Sequence, residues 1–254
     1  MCTILLAWRC REELPLLVAA NRDEFHDRAA APAGWWPDRP EVLGGRDLAG
    51  GGTWLGVDRR GRVAALANYR EPGAPAGGLS RGRLVVDFLA SDERPAAFGR
   101  AVVARGDRFA GFTLVAADAA EIVCVGNRER TARTLAPGVH GFSNGGLDAP
   151  WPKVRAGRAR IQELLAAPSL DAAALLDVLS DRTVPPDSEL PHTGIGLEKE
   201  RLLGAMFVVS PDYGTRASTA VIVRAEGTVT FLERTFSRSG APTGERRFEF
   251  RRRG

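Results

Sequence analysis

The sequence predicts an α+β fold in which two antiparallel sheets pack face to face and helices cover their outer faces. Three observations carry this. Strand-like runs come in hairpin-spaced pairs rather than as βαβ units. The order along the chain is strands, helices, strands, helices, strands. The 254 residues include 29 glycines and 16 prolines, enough for many tight turns between short strands.

The apolar runs 3–8 and 14–20 flank a charged segment that starts at Arg9 and ends at Glu13, the pattern of a hairpin. A second hairpin is expected from 53–57 to 62–67, with 58–61 as its turn. The stretch 32–52 between them is rich in proline, glycine and tryptophan and reads as a long connection, a kind of loop that often carries function. Ser80 is placed to cap a helix through residue 90, with Leu84, Val85, Phe88 and Leu89 on one face. Pro95 marks the start of another helix, ending near residue 105. Strands are expected at 112–116, 122–125, 131–135 and 139–142. Two helices broken near Pro168 fill 151–181, and strands at 206–210, 218–224, 228–233 and 247–250 close the chain. No repeat or low-complexity linker divides it, so residues 1–254 read as a single domain.

Composition excludes several classes. Hydrophobic residues make up 44% and charged residues 26%, a globular balance rather than a disordered one. The net charge of +4 is spread along the chain, which argues against nucleic acid as a partner. No apolar stretch reaches the ~18 residues of a membrane span. The apolar start lacks a basic leader and meets Arg9, Arg11, Glu12 and Glu13 too soon for a signal peptide. Cys2, Cys10 and Cys124 form no CxxC pair and cannot all pair with one another, so a reducing cytoplasm is the expected location. His26, His140 and His192 lack metal-site spacing, and no metal is expected.

Cys2 is the most informative residue. If Met1 is removed, Cys2 carries both a thiol and a free α-amine, which titrate near ~8.5 and ~7.7–8.0 when unperturbed. The amine can then take the thiol proton, so one residue supplies nucleophile and base without a histidine. The plainer reading is a small apolar residue that begins a buried strand. Asn21-Arg22-Asp23-Glu24 shifts the balance, because a hairpin turning near Arg11 returns this stretch to a place beside Cys2. A carboxylate there can hold the α-ammonium, and an arginine can lower the thiol pKa.

With its opening Met1-Cys2-Thr3, this tetrapeptide resembles the NRDE family, also called the Transport and Golgi organisation family. Further matching stretches begin at Gly51, Leu66, Gly141, Pro150 and Tyr213, in order along nearly the whole chain. The resemblance implies a four-layer αββα fold like that of N-terminal-nucleophile (Ntn) hydrolases. It also implies similarity to cysteine-type Ntn amidases, which act on bile-salt conjugates and penicillin V. Residue by residue, it suggests Cys2 as nucleophile, Arg22 and Asp23 after the first hairpin, Asn68 and Asn144 for the oxyanion, and Arg216 as a later arginine. In those amidases two residues separate the arginine from the aspartate, whereas Arg22 and Asp23 are adjacent. Neighbours on a strand face opposite ways. Either the strand ends in a bulge, or the facing pair is Asn21 with Asp23 or Arg22 with Glu24.

The remaining candidates are substrate-binding: Asn21, Glu24, Trp35, Trp36, Trp54 and Tyr69. Tryptophans more often pack in a core than line a pocket, but Trp35-Trp36 lies in the Pro/Gly-rich connection and is expected to touch ligand. Asn144 sits in a turn, where asparagine usually serves local hydrogen bonding; Asn68 ends an apolar strand, where capping is the plain account. Two functions remain open. The first is an amidohydrolase, thioesterase or acyltransferase working through a Cys2 acyl-enzyme, without a cofactor. The second, also implied by the resemblance, is a carrier of haem, lipid or acyl-CoA on the same fold. Fold alone does not choose between them.

Overall fold

The computed structural model describes residues 2–73 and 78–253. The chain opens with strands β1 (Cys2–Arg11) and β2 (Leu14–Phe25), the expected first hairpin. Strands β3 (Ala30–Trp36), β4 (Arg39–Asp47), β5 (Leu55–Asp58) and β6 (Val63–Asn68) follow. Helices α1 (Gly82–Leu89) and α2 (Pro95–Ala104) lead into β7 (Phe112–Ala117), β8 (Ile122–Gly126), β9 (Thr131–Thr134), β10 (Gly138–Ser143) and the short β11 (Gly146–Leu147). Helices α3 (Pro152–Ala166), α4 (Ala172–Val178) and α5 (Leu197–Gly204) precede the last strands, β12 (Tyr213–Val223), β13 (Thr228–Phe236) and β14 (Pro242–Arg251).

The strands make two seven-stranded antiparallel sheets, ordered β11-β10-β1-β2-β12-β13-β14 and β3-β4-β5-β6-β7-β8-β9. Alternation along β1 explains how they stack. Ile4, Leu6 and Trp8 join Leu43, Val57 and Ala65 in a core between the sheets. Leu5 and Ala7 point the other way, into a second core with Ile161, Leu175 and Leu176 of α3 and α4. On the far side, Leu66 and Leu114 pack under Leu84, Phe88 and Phe98 of α1 and α2. Both faces of the central strands are buried, which is why they read as unbroken apolar runs rather than alternating ones. The result is the four-layer αββα arrangement. Helix α3 approaches β1 at Gly157, where an added Cβ would lie 2.6 Å from Leu5.

Three expectations are corrected. The stretch 32–52 is mostly a hairpin, β3–β4, not a loop. Strand β3 lies at the sheet edge, where proline costs no ladder hydrogen bond, so Pro32 does not break it. Residues 206–210 form no strand; only Val209 bridges, to Gly214. Ser80 does not cap α1 through its side chain; its carbonyl accepts from Arg83 N (3.2 Å), and Arg81 occupies the N-cap. The turn of the second hairpin is as expected, with Gly61 at φ +77° and the Asp58 carboxylate accepting from Arg60 N and Arg62 N.

Candidate functional site

Cys2 begins β1 on the face shared by the two sheets, directly opposite Arg22 on β2. Arg22 in turn faces Ala217 on β12, while Thr215 faces Asp23, so Arg216 bulges out of register. The irregularity lies on the strand that pairs with β2, not on β2 itself. Cys2, Arg22, Asp23 and Glu24 all line one cavity of about 580 Å³. Asn21 does not. Its amide donates to the carbonyls of Leu179 and Met206, both at 2.9 Å, and accepts from Ser218 Oγ at 2.5 Å. Asn21 therefore serves the contact with the helical layer.

The arrangement is tightly charged. Arg22 is 4% exposed, its guanidinium lies 4.5 Å from the centre of the Trp54 ring, and its Nη2 is 3.9 Å from the Asp47 carboxylate. Asp23 accepts from Thr215 Oγ1 (2.7 Å), and its carbonyl accepts from the Tyr213 hydroxyl (2.8 Å). Burial pushes the Asp23 carboxyl up, opposed by the Lys153 cation. Lys153, buried in the first turn of α3, donates to the Leu203 carbonyl at 2.9 Å, and burial brings its amine down to about 8. Burial also pushes the Cys2 thiol up; Asp23 adds to this and Arg22 opposes it.

The remaining wall comes from the second sheet and from α1. Thr53, Trp54, Asn68 and Arg81 line it there, and Arg81 donates to the Gly111 carbonyl at 3.0 Å. At the rim, Arg28 Nε holds Asp47 at 2.8 Å and lies 3.8 Å from Glu24. Glu24, Phe25 and Asn68 also border a second, mostly apolar cavity of about 380 Å³, whose other walls include Ile195, Leu202 and Tyr213. The two cavities share these three residues.

The other sequence candidates sit elsewhere. Asn144 is buried off the cavity wall, and its Nδ2 donates to the Asn68 carbonyl at 2.7 Å. Arg216 Nη1 donates to the carbonyls of Phe25, His26 and Arg28, which secures the turn at the cavity rim without entering the cavity. Trp35 and Trp36 stand at the turn end of the β3–β4 hairpin, opposite the Ala30–Asp47 end that reaches the cavity, and neither lines it. Trp35 packs on Phe250 (5.2 Å) and under Arg59 (4.0 Å), while Trp36 Nε1 donates to the Gly44 carbonyl at 3.0 Å. Tyr69 lines neither cavity; its backbone N–H bonds Gly111. Sequence reasoning missed Arg28, Asp47, Arg81 and Lys153. Of these, Lys153 had a signal, as one of two lysines in the chain and part of a matching stretch.

Among the described residues no cluster of three or more His, Cys, Asp or Glu can hold a metal ion, and no helix is long and apolar enough to cross a membrane. The comparisons with known proteins concern the whole chain. Residues 1–238 match the family Transport and Golgi organisation 2. The Transport and Golgi organization protein 2 homolog of Bos taurus is 40% identical over 237 residues, covering 87% of this chain and 86% of that protein. The Homo sapiens homolog is 38% identical with the same coverage, and the Drosophila melanogaster protein is 28% identical over 248 residues. Among solved structures, a Caenorhabditis elegans N-acylethanolamine-hydrolyzing acid amidase ortholog is similar at a TM-score of 0.44 and 13% identity, covering 87% of this chain and 92% of that one. Identity of this extent over most of both chains, together with the family match over residues 1–238, shows that the chain belongs to the Transport and Golgi organisation 2 family.

Proposed function

We propose that this chain is an N-terminal-cysteine hydrolase or acyltransferase that takes the acyl group of an amide or thioester onto Cys2. The observation that carries the reading is the Cys2 thiol on the wall of the 580 Å³ cavity, across the ladder from Arg22. Met1, whose removal the mechanism requires, lies outside the described residues. The freed α-amine takes the thiol proton, and Asp23 holds the resulting ammonium. Arg22 offsets the desolvation of the thiolate. Sulfur attacks the acyl carbon, and Asn68, the asparagine on the wall, donates to the oxyanion. The carbon–nitrogen or carbon–sulfur bond then breaks, and the leaving amine or thiol takes the ammonium proton. Water or a second nucleophile releases the acyl group by the reverse steps.

The neighbouring 380 Å³ cavity, which shares Glu24, Phe25 and Asn68 with the first, suits the apolar part of such an acyl group. It also supports the second reading, a lipid or haem carrier that binds in the same space without turnover. Haem would need an axial ligand, and of the cysteines and histidines only Cys2 lines the cavity. The three free thiols suit the reducing cytoplasm that we propose as the location.

Intact-mass measurement on the purified protein, followed by incubation with a panel of acyl amides and acyl thioesters, tests the enzyme reading. The expected result is a chain lacking Met1 and an S-acyl adduct on Cys2, with none on Cys10 or Cys124 and none in Cys2→Ala. A retained Met1, or hydrolysis that survives in Cys2→Ala, overturns it. Saturable ligand binding with no adduct is the outcome for a carrier.

A further inference from the structure

Two buried hydrogen-bond donors of cavity-lining residues have no acceptor among the described residues. Arg22 Nη2 and Trp54 Nε1 are both buried, and neither has a hydrogen-bond partner among the described residues. The residues are only 4% and 8% exposed, and both line the cavity that holds Cys2. Leaving a buried donor unpaired costs about 1–3 kcal/mol, and more when the donor is charged, so native interiors rarely tolerate two side by side. The stacking of the guanidinium on the indole at 4.5 Å holds them together.

The charge of Arg22 is met only at a distance. Its nearest carboxylate, Asp47, lies 3.9 Å away, beyond hydrogen-bond length. Asp47 is already committed to Arg28 Nε at 2.8 Å and to the backbone N–H groups of Ala49 and Gly50, both at 3.0 Å. A neutral carbonyl would satisfy the two donors but gain little from the guanidinium charge, which Asp47 meets only at 3.9 Å. An anionic oxygen satisfies both needs.

We propose that Arg22 Nη2 and Trp54 Nε1 form a subsite for an anionic oxygen group, a carboxylate or phosphate, that the substrate carries beside the carbon attacked by Cys2. The proximity follows from the register. Directly opposed side chains on one face of an antiparallel pair have Cβ atoms ~4.5–5.5 Å apart, and Cys2 and Arg22 are such a pair. This deepens the acyl-transfer reading and rests on it for the word substrate, but the subsite itself is testable without turnover.

The test compares alkylation by iodoacetate, which carries a carboxylate, with alkylation by neutral iodoacetamide. In each, sulfur bonds the methylene carbon as the carbon–iodine bond breaks, iodide leaves, and the thiol proton passes to buffer. Exposed Cys10 is the internal reference. The expected iodoacetate-to-iodoacetamide rate ratio is about tenfold higher at Cys2 than at Cys10. Trp54→Phe keeps the ring beneath Arg22 but removes the N–H, and should lower the ratio at Cys2 roughly threefold or more. Equal ratios at Cys2 and Cys10, or a ratio unchanged in Trp54→Phe, overturn the proposal. A second measurement needs no variant: inorganic phosphate or acetate, at constant ionic strength, should slow iodoacetamide at Cys2 and not at Cys10. Protection by one anion alone identifies the group the subsite prefers, and protection by neither overturns the proposal. Alkylation proceeds whether or not Met1 is removed, so a failure here is distinct from failure to form an S-acyl adduct.

Discussion

Asn144 reaches from the β10–β11 turn of one sheet to the Asn68 carbonyl at the end of β6 in the other, at 2.7 Å. The same turn accepts from Arg70 N through the Asn144 carbonyl at 2.8 Å. This cross-sheet link fixes where Asn68 stands on the cavity wall. Asn144→Ala strands the Asn68 carbonyl and should cost about 1–3 kcal/mol. Urea unfolding measures it; a loss well under ~0.5 kcal/mol would mean that the bond does not hold the sheets in register.

Asn21 makes three buried hydrogen bonds, two to the Leu179 and Met206 carbonyls of the helical layer and one with Ser218 on β12, and it does not line the cavity. Asn21→Ala should therefore destabilise the fold by about 3 kcal/mol or more while leaving the alkylation preference of Cys2 unchanged in the folded protein. A lost preference with unchanged stability would return Asn21 to the binding site.

Gly45 is the seat of the Trp54 ring. An added Cβ would lie 2.3 Å from Trp54 Cη2, so the ring, on which the Arg22 guanidinium stacks, must shift. Gly45→Ala should cost about 1–3 kcal/mol as overpacking and slow alkylation of Cys2. An unchanged melting temperature together with an unchanged rate would sink this reading.

Glu233 sets a pH dependence. It is 1% exposed and accepts from Ala33 N at 2.6 Å, and burial raises its carboxyl from 4.5 to about 7. Between those values the folded chain keeps a proton that the unfolded chain releases. Its stabilising contribution is therefore complete below pH 4.5 and gone above about 7, a span worth on the order of 3 kcal/mol. Glu233→Gln should remove that decline and be the more stable chain at pH 8. Parallel stability curves for the two proteins across this window would count against it.

Trp35 belongs to an edge strand and packs against Phe250. Trp35→Ala should cost stability without altering the reactivity of Cys2. Slower labelling in the folded variant would restore the ligand-contact reading.

The central strands were legible because burial on both faces leaves long apolar runs, and the Cys2–Arg22 neighbourhood followed from hairpin length alone. The β3–β4 hairpin was not legible: its prolines and glycines resemble loop composition, and edge strands tolerate both. Helix α5 was missed because its buried face is narrow, with Glu200, Leu203 and Gly204 inside and charged residues around them. The setting of Asp23 beside Arg22 was not legible in sequence, because the Thr215 hydroxyl that holds its carboxylate lies 192 residues later. Asn144 and Arg216 were legible as residues of interest, but their bonds to backbone carbonyls were not.

Strand β1 is flanked by β2 and by β10, and Ser143 Oγ donates to the Cys2 carbonyl across a separation of 141 residues. During synthesis the hairpin can form early, yet one side of β1 stays open until more than half of the chain has left the ribosome. The thiol thus acquires its surroundings late, and a nascent chain stalled before β10 would display Cys2 on a bare strand edge, a state for chaperones to shield.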